Sequence, residues 1–221
     1  MVPYSLVGFL KPRIWERMRA LTAELFMSVD GFAAQADGDQ SCFMQFFGQE
    51  MTRYVQRVLD APQVIVIGRK TYQLLSGFWP TANGPQAARM NNLPKIVFSR
   101  TLKEPLAWNN SRLAKGDFGD EIRALKRQAG DPMRLIGSVK LVETLIRLNL
   151  VDRLRLVVFP VVLGDSGREA IFKNYEQTRL QLARTIVLDS NVNVLEYQPL
   201  TNAQGVHERP EPARPTPSWR G

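Results

Sequence analysis

Two short stretches hold the residues best suited to chemistry, Gly68-Arg69-Lys70-Thr71 and Gly137-Ser138-Val139. Each follows an apolar run, Val64 to Ile67 in the first case and Met133 to Ile136 in the second. Each leads into residues whose apolar positions recur at helical spacing. A helix that starts directly after a buried strand presents unbonded backbone N–H groups and the positive end of its dipole, which suits phosphate. Glycine at such a turn lets a ligand approach the backbone. Thr71 and Ser138 add hydroxyls that can cap a helix or donate to a ligand, and Arg69 and Lys70 add positive charge. Two such junctions suit the two phosphates of a dinucleotide; the plainer alternative is that each glycine only ends a strand.

Much other chemistry is removed by counting. One cysteine, Cys42, forbids an internal disulfide and a multi-cysteine zinc site. One histidine, His207, lies in a Pro/Arg-rich tail, so His-based metal sites and Ser-His-Asp triads are disfavoured. A zinc deaminase needs H-x-E and P-C-x-x-C, which one cysteine cannot supply. No G-x-G-x-x-G follows a strand, and Gly68-Arg69-Lys70-Thr71 departs from the Walker pattern in spacing and in its missing earlier glycine. Cys42 has no histidine to activate it and reads as a small packed thiol. Asp37-Gly38-Asp39 reads as a turn rather than a metal pair. Trp79, in Gly77-Phe78-Trp79-Pro80, is expected to cover a core edge rather than stack on a ligand.

The elements that must position these residues are legible in the apolar pattern. Ala20–Met27 reads as a strand, followed by a loop at Asp30-Gly31. Phe43 to Leu59 carries apolar residues at helical spacing and reads as one long helix. Gln63–Ile67 and Lys95–Phe98 are continuous apolar strands of the kind covered on both faces. Arg69–Leu75, Asp120–Gln128 and Leu141–Leu150 read as helices, Met133–Ile136 and Arg153–Val162 as strands. Thr178–Leu182 and Asn191–Tyr197 alternate with period two, which is antiparallel in character. The sum is an α/β domain, βα units feeding a mostly parallel sheet closed by an antiparallel C-terminal hairpin.

The chain has 221 residues, 44% apolar and 23% charged, the composition of a globular protein. No apolar run reaches the roughly 18 residues of a membrane span. The net charge is +8, and residues 18–200 carry +5 of it, a field that attracts anions. Residues 1–17 place Lys11-Pro12-Arg13 after their apolar stretch, the reverse of a secretory signal, and read as an extension before Met18. Residues 201–221, with Pro210, Pro212, Pro215 and Pro217 among charges, read as a disordered tail.

Five segments in order carry a family resemblance: Phe26-Met-Ser-Val-Asp-Gly-Phe32, Gly68-Arg-Lys-Thr-Tyr72, Val97-Phe-Ser-Arg100, Gly137-Ser138 with Leu141, and Leu150-Val-Asp152 with Pro160-Val-Val-Leu-Gly164. Over residues 18–200 the chain resembles the dihydrofolate reductase-like superfamily. The nearer branch is the reductase domain of riboflavin synthesis, the C-terminal half of the bacterial bifunctional deaminase-reductase. The resemblance implies a dihydrofolate reductase-like mixed, mostly parallel sheet flanked by helices. It also implies NADPH-dependent hydride transfer to a pyrimidine- or pteridine-like heterocycle, similar to 5-amino-6-(5-phosphoribosylamino)uracil.

Carried over by position, Gly68, Arg69, Lys70 and Thr71 bind the cofactor at a helix start. Ser99 and Arg100 sit at the 2′-phosphate, and Gly137 and Ser138 contact the pyrophosphate. Asp30 lies near the nicotinamide and the substrate as the catalytic candidate. If the strands ending at Gly68 and Phe98 are neighbours, Arg69 and Arg100 share one rim. Relatives often carry a glycine pair where this chain has Gly137-Ser138, and Glu50 is the one acidic candidate on the early helix for holding a pterin. The expected assembly is a cytoplasmic homodimer acting without metal, nucleic acid or membrane. The alternatives are a dihydrofolate or pterin reductase, and a non-catalytic polyanion binder, for which no reading module or aromatic–basic interleaving is present.

Overall fold

A computed structural model describes residues 19–200, apart from Ser190 and the Asp37 side chain; the 1–17 extension and the 201–221 tail lie outside the described residues. The chain runs β1 (Leu21–Ser28), β2 (Phe32–Ala34), α1 (Ser41–Met44), α2 (Gln49–Asp60), β3 (Val64–Gly68), α3 (Arg69–Phe78), α4 (Pro85–Asn92) and β4 (Lys95–Phe98). It continues through β5 (Ser111–Leu113), α5 (Phe118–Arg127), β6 (Met133–Ile136), α6 (Val139–Arg147), β7 (Arg153–Phe159), β8 (Arg168–Ala170), β9 (Leu180–Leu188) and β10 (Val192–Pro199). The main sheet has the order β5-β4-β3-β6-β1-β7-β10-β9. Strands β5 to β7 in that order pair parallel, and β10 and β9 close the sheet antiparallel. The mixed, mostly parallel sheet with an antiparallel C-terminal hairpin is the architecture expected from the alternation of patterns.

Strand periodicity divides the interior. Leu21, Ala23, Leu25 and Met27 of β1 point to one face, where they meet Ile122 and Leu125 of α5 and Val142, Leu145 and Ile146 of α6. Phe26 points to the other, against a cluster of Phe43, Phe159, Val157 and Val194. On that same side Ile65 and Ile67 of β3 pack with Leu59, Tyr72, Met90 and Trp108. Helices on both faces are what the continuous apolar run of β3 requires.

The single early helix expected from Phe43 to Leu59 is two, broken before Gly48. Asp189, in the β9–β10 turn, explains the break. Its carboxylate accepts from the backbone N–H groups of Glu50 at 3.0 Å and Met51 at 2.9 Å, while Glu50 accepts from the Asp189 N–H at 2.5 Å. This is a capping box assembled from residues far apart in sequence. A Cβ at position 48 would lie 2.4 Å from the Asp189 carboxylate, so only glycine fits there.

Strand β7 stops at Phe159, short of Val162, because Pro160 has no N–H to continue the ladder. Strand β9 runs well past Leu182, since pairing with β10 carries it through residues whose side chains are mostly exposed.

One buried charge cluster crosses the sheet. Glu24 of β1, 3% exposed, takes ion pairs from Arg134 at 2.5 Å and Arg155 at 3.0 Å, and Arg155 also reaches Glu196 at 3.0 Å. Burial works to raise the Glu24 pKa, but the two guanidinium groups outweigh it and hold it below the ordinary value of 4.5.

Candidate functional site

The parallel strands deliver their C-terminal ends to one rim. Register places Gly68 beside Phe98 and Val66 beside Leu135, so β4, β3 and β6 end side by side, with β1 next to β6. Open α/β sheets bind ligands at this edge. Arg69 and Ser99-Arg100 therefore leave adjacent strands onto the same rim.

The two glycine junctions are joined directly. The Ser138 hydroxyl accepts from the Gly68 N–H at 2.9 Å and lies 3.0 Å from Thr71 Oγ1. Gly137 and Ser138 both adopt left-handed backbone, with φ of 56° and 57°. Glycine takes that conformation freely, whereas serine there is strained. A Cβ on Gly68 would come within 3.1 Å of Leu141 and 3.2 Å of the Ser138 hydroxyl, which favours glycine at this contact.

The helices starting from these turns have open ends. Neither α3, entered from Gly68, nor α6, entered from Ser138, has a side-chain cap. Helix α5, by contrast, is closed by Asp117, which accepts from Gly119 at 2.9 Å and Asp120 at 3.3 Å. Two uncapped N-termini, held together by one hydroxyl, form a donor-rich cradle of the kind that suits an anion.

The cationic side chains around this cradle are accessible. Arg69 is exposed and, among the described residues, reaches only Gln73 of its own helix, at 3.0 Å. Lys70 pairs with Glu169 of β8 at 3.2 Å, with both side chains largely exposed, a contact that a bound anion displaces at little cost. Ser99 accepts from the N–H groups of Thr101 at 3.1 Å and Leu102 at 2.9 Å, which shapes the turn after β4 and leaves Arg100 exposed.

Asp30 sits in the turn after β1. Its carboxylate accepts from the N–H of Leu163 at 3.1 Å and of Gly164 at 2.8 Å, tying this turn to the loop after β7. The Ser28 hydroxyl and these amides hold its pKa below the usual carboxylate range. Asp30 is therefore an anion at neutral pH, suited to orienting a polar group rather than to giving up a proton. Among the described residues, no cluster of three metal-ligating side chains is present.

Sequence reasoning did not foresee the partners of these residues. Glu169 and the Leu163-Gly164 amides carry no motif of their own. Glu24 was detectable in principle, as a lone carboxylate inside the apolar strand Leu21–Met27. Cys42 is part-buried, and burial pushes its thiol up. Trp79 packs on the cluster of Ile65, Tyr72 and Trp108, as a cover for a core edge.

The sequence profile of the RibD C-terminal domain matches residues 19–194. The chain belongs to the RibD C-terminal domain family. Among curated proteins, it is 26% identical over 186 residues to the uncharacterized protein YyaP of Bacillus subtilis (strain 168), covering 82% of this chain and 95% of that one.

Similar folds occur in solved structures. One, from Shewanella sp. PV-4 and provisionally named a riboflavin biosynthesis protein, superposes with a TM-score of 0.64 at 19% identity, covering 82% of this chain and 99% of its own. A pyrimidine reductase-like protein of Corynebacterium diphtheriae gives 0.63 at 13% identity, covering 87% and 96%. The deaminase/5-amino-6-(5-phosphoribosylamino)uracil reductase of Thermotoga maritima gives 0.59 at 14%, covering 84% of this chain and 58% of that longer one. At these identities the likeness is one of fold.

Proposed function

We propose that this RibD C-terminal domain protein is an NADPH-dependent reductase of a pyrimidine- or pteridine-like heterocycle. The observation that carries the reading is the junction at Ser138, which binds Gly68 and brings two uncapped helix N-termini to the rim where Arg69 and Arg100 emerge. The N–H groups that open α3 and α6 would hold the pyrophosphate. Thr71 and Ser138 would supply hydroxyls beside it, and Arg69, Lys70 and Arg100 would supply charge for the 2′-phosphate. When bound there, NADPH supplies the hydride. Asp30, fixed by the Leu163 and Gly164 amides, would orient the heterocycle by accepting from a ring N–H.

The family reading favours the riboflavin-type heterocycle over dihydrofolate. Glu50, the carboxylate considered for a pterin, is engaged by the Asp189 N–H. No helix among the described residues is long and apolar enough to cross a membrane. A homodimer is supported by β9, an edge strand with Leu182 54% and Val187 55% exposed.

Titration of the purified chain with NADPH, followed by nicotinamide fluorescence, tests the reading against an equal titration with a single-stranded oligonucleotide. Saturable NADPH binding without oligonucleotide binding is expected. The reverse would make the chain a polyanion binder.

A further inference from the structure

A second site lies at the opposite end of the strands. A cavity of about 430 Å³ opens between the C-terminal end of α2, the start of β6 and the β9–β10 hairpin, within the size range of small-molecule pockets. Arg57, Arg134, Arg155 and Arg184 line it, and among the described residues Glu196 is the one carboxylate in its wall. With Glu24 buried behind, four positive charges face two negative ones.

Those charges are unequally satisfied. Arg134 and Arg155 pair with Glu24, and Arg155 also with Glu196. Among the described residues, Arg134 Nε is buried with no acceptor. Arg57 and Arg184 are exposed at the cavity, and neither makes an ion pair among the described residues. Helix α2 ends here, and its carbonyl end would repel an anion. Gln63 removes part of that obstacle by donating to the Val58 oxygen at 2.5 Å and the Ala61 oxygen at 3.0 Å. Tyr54, Ile186 and Val194 supply an apolar wall.

We propose that this cavity binds a small organic anion, a phosphate or carboxylate on a ring-sized apolar body. Guanidinium groups suit both headgroups because they donate paired hydrogen bonds. The apolar wall receives the body.

This site is separate from the rim at Gly68 and Ser138. Glu24 and Ser28 are four residues apart on β1, roughly 13 Å at the rise of an extended strand. Phe26 lies between them on the same face, packed on Phe159 at 5.2 Å, and Phe159 stacks on fully buried Phe43 at 4.7 Å. The aromatic cluster partitions the two regions.

The test is calorimetric titration at about 0.15 M salt with phenyl phosphate, benzoate and phenol. One-to-one binding of phenyl phosphate or benzoate is expected, with phenol binding at least tenfold weaker. The two acids together decide which headgroup is preferred. The double variant Arg57→Ala/Arg184→Ala, altered only at exposed side chains, should lose tenfold or more in affinity for the bound anion. Arg69→Ala, on the far rim, should leave it unchanged. Absence of saturable binding of either acid, or binding that survives the double variant and falls with Arg69→Ala, would overturn the proposal.

Discussion

The Ser138 hydroxyl accepts the Gly68 N–H at 2.9 Å across the gap between the starts of α6 and α3. This contact sets the spacing of the two helix ends proposed to hold the pyrophosphate. It also explains why a serine occupies a left-handed position better suited to glycine. The strain of roughly 1 kcal/mol is offset by a bond to an otherwise unsatisfied amide.

The two contributions separate by substitution. Ser138→Ala keeps the strained backbone and strips Gly68 of its acceptor, so urea unfolding should show a loss of about 1–2 kcal/mol. Ser138→Gly loses the same bond but releases the strain, and should fall within about 0.5 kcal/mol of the parent protein. Equal losses in both variants would show that the left-handed turn carries no strain.

Arg69 and Arg100 should discriminate the cofactors. NADPH differs from NADH by one 2′-phosphate, so a residue at that group affects one cofactor and spares the other. A charged hydrogen bond contributes about 1.5–3 kcal/mol. Arg69→Ala or Arg100→Ala should therefore weaken NADPH roughly tenfold to a hundredfold and NADH much less. Parallel losses for both cofactors, read as dissociation constants at about 0.15 M salt, would place the 2′-phosphate elsewhere.

Asp30→Asn keeps one oxygen able to accept from the Leu163 and Gly164 amides while removing the charge. Turnover of a reducible heterocycle should fall at least about tenfold, with NADPH affinity unchanged. Because the Asp30 carboxylate is held ionised by its hydrogen bonds, turnover in the parent enzyme should also show no loss on the alkaline side from this group. An unchanged turnover number in the variant would reduce Asp30 to a loop tie.

Glu24 links stability to acid. Its folded pKa is below 4.5, so its stabilising contribution is fully present above that value and is lost as pH falls through the folded pKa. Glu24→Gln leaves Arg134 buried without an anion and Arg155 with Glu196 alone, and should cost about 3 kcal/mol near neutrality. The gap between the two proteins in urea unfolding should be full at about pH 7 and narrow by about pH 3. A gap independent of pH would mean that the carboxylate adds shape and not charge.

The sequence by itself determined the βα alternation, the antiparallel close and the rim residues, because each rests on local periodicity or on a glycine directly after an apolar run. Val64 to Ile67 reads as a doubly covered strand with no knowledge of its neighbours. Gly68 and Ser138, each at a helix start, were legible for the same reason, and so was the family.

Tertiary structure decided what local pattern cannot encode. The early helix is cut at Gly48 by Asp189, a residue that approaches only after the C-terminal hairpin has formed. Strand order put the segments that carry Arg69 and Arg100 on one rim by pairing β3 with β4. The short strands β2, β5 and β8, of three residues each, take their form from a partner strand rather than from their own sequence. The arginine cavity joins α2, β6, β7, β9 and β10, and its charges are distant in sequence. Ion pairing between strands depends on register, which packing fixes once alternating side chains choose their face.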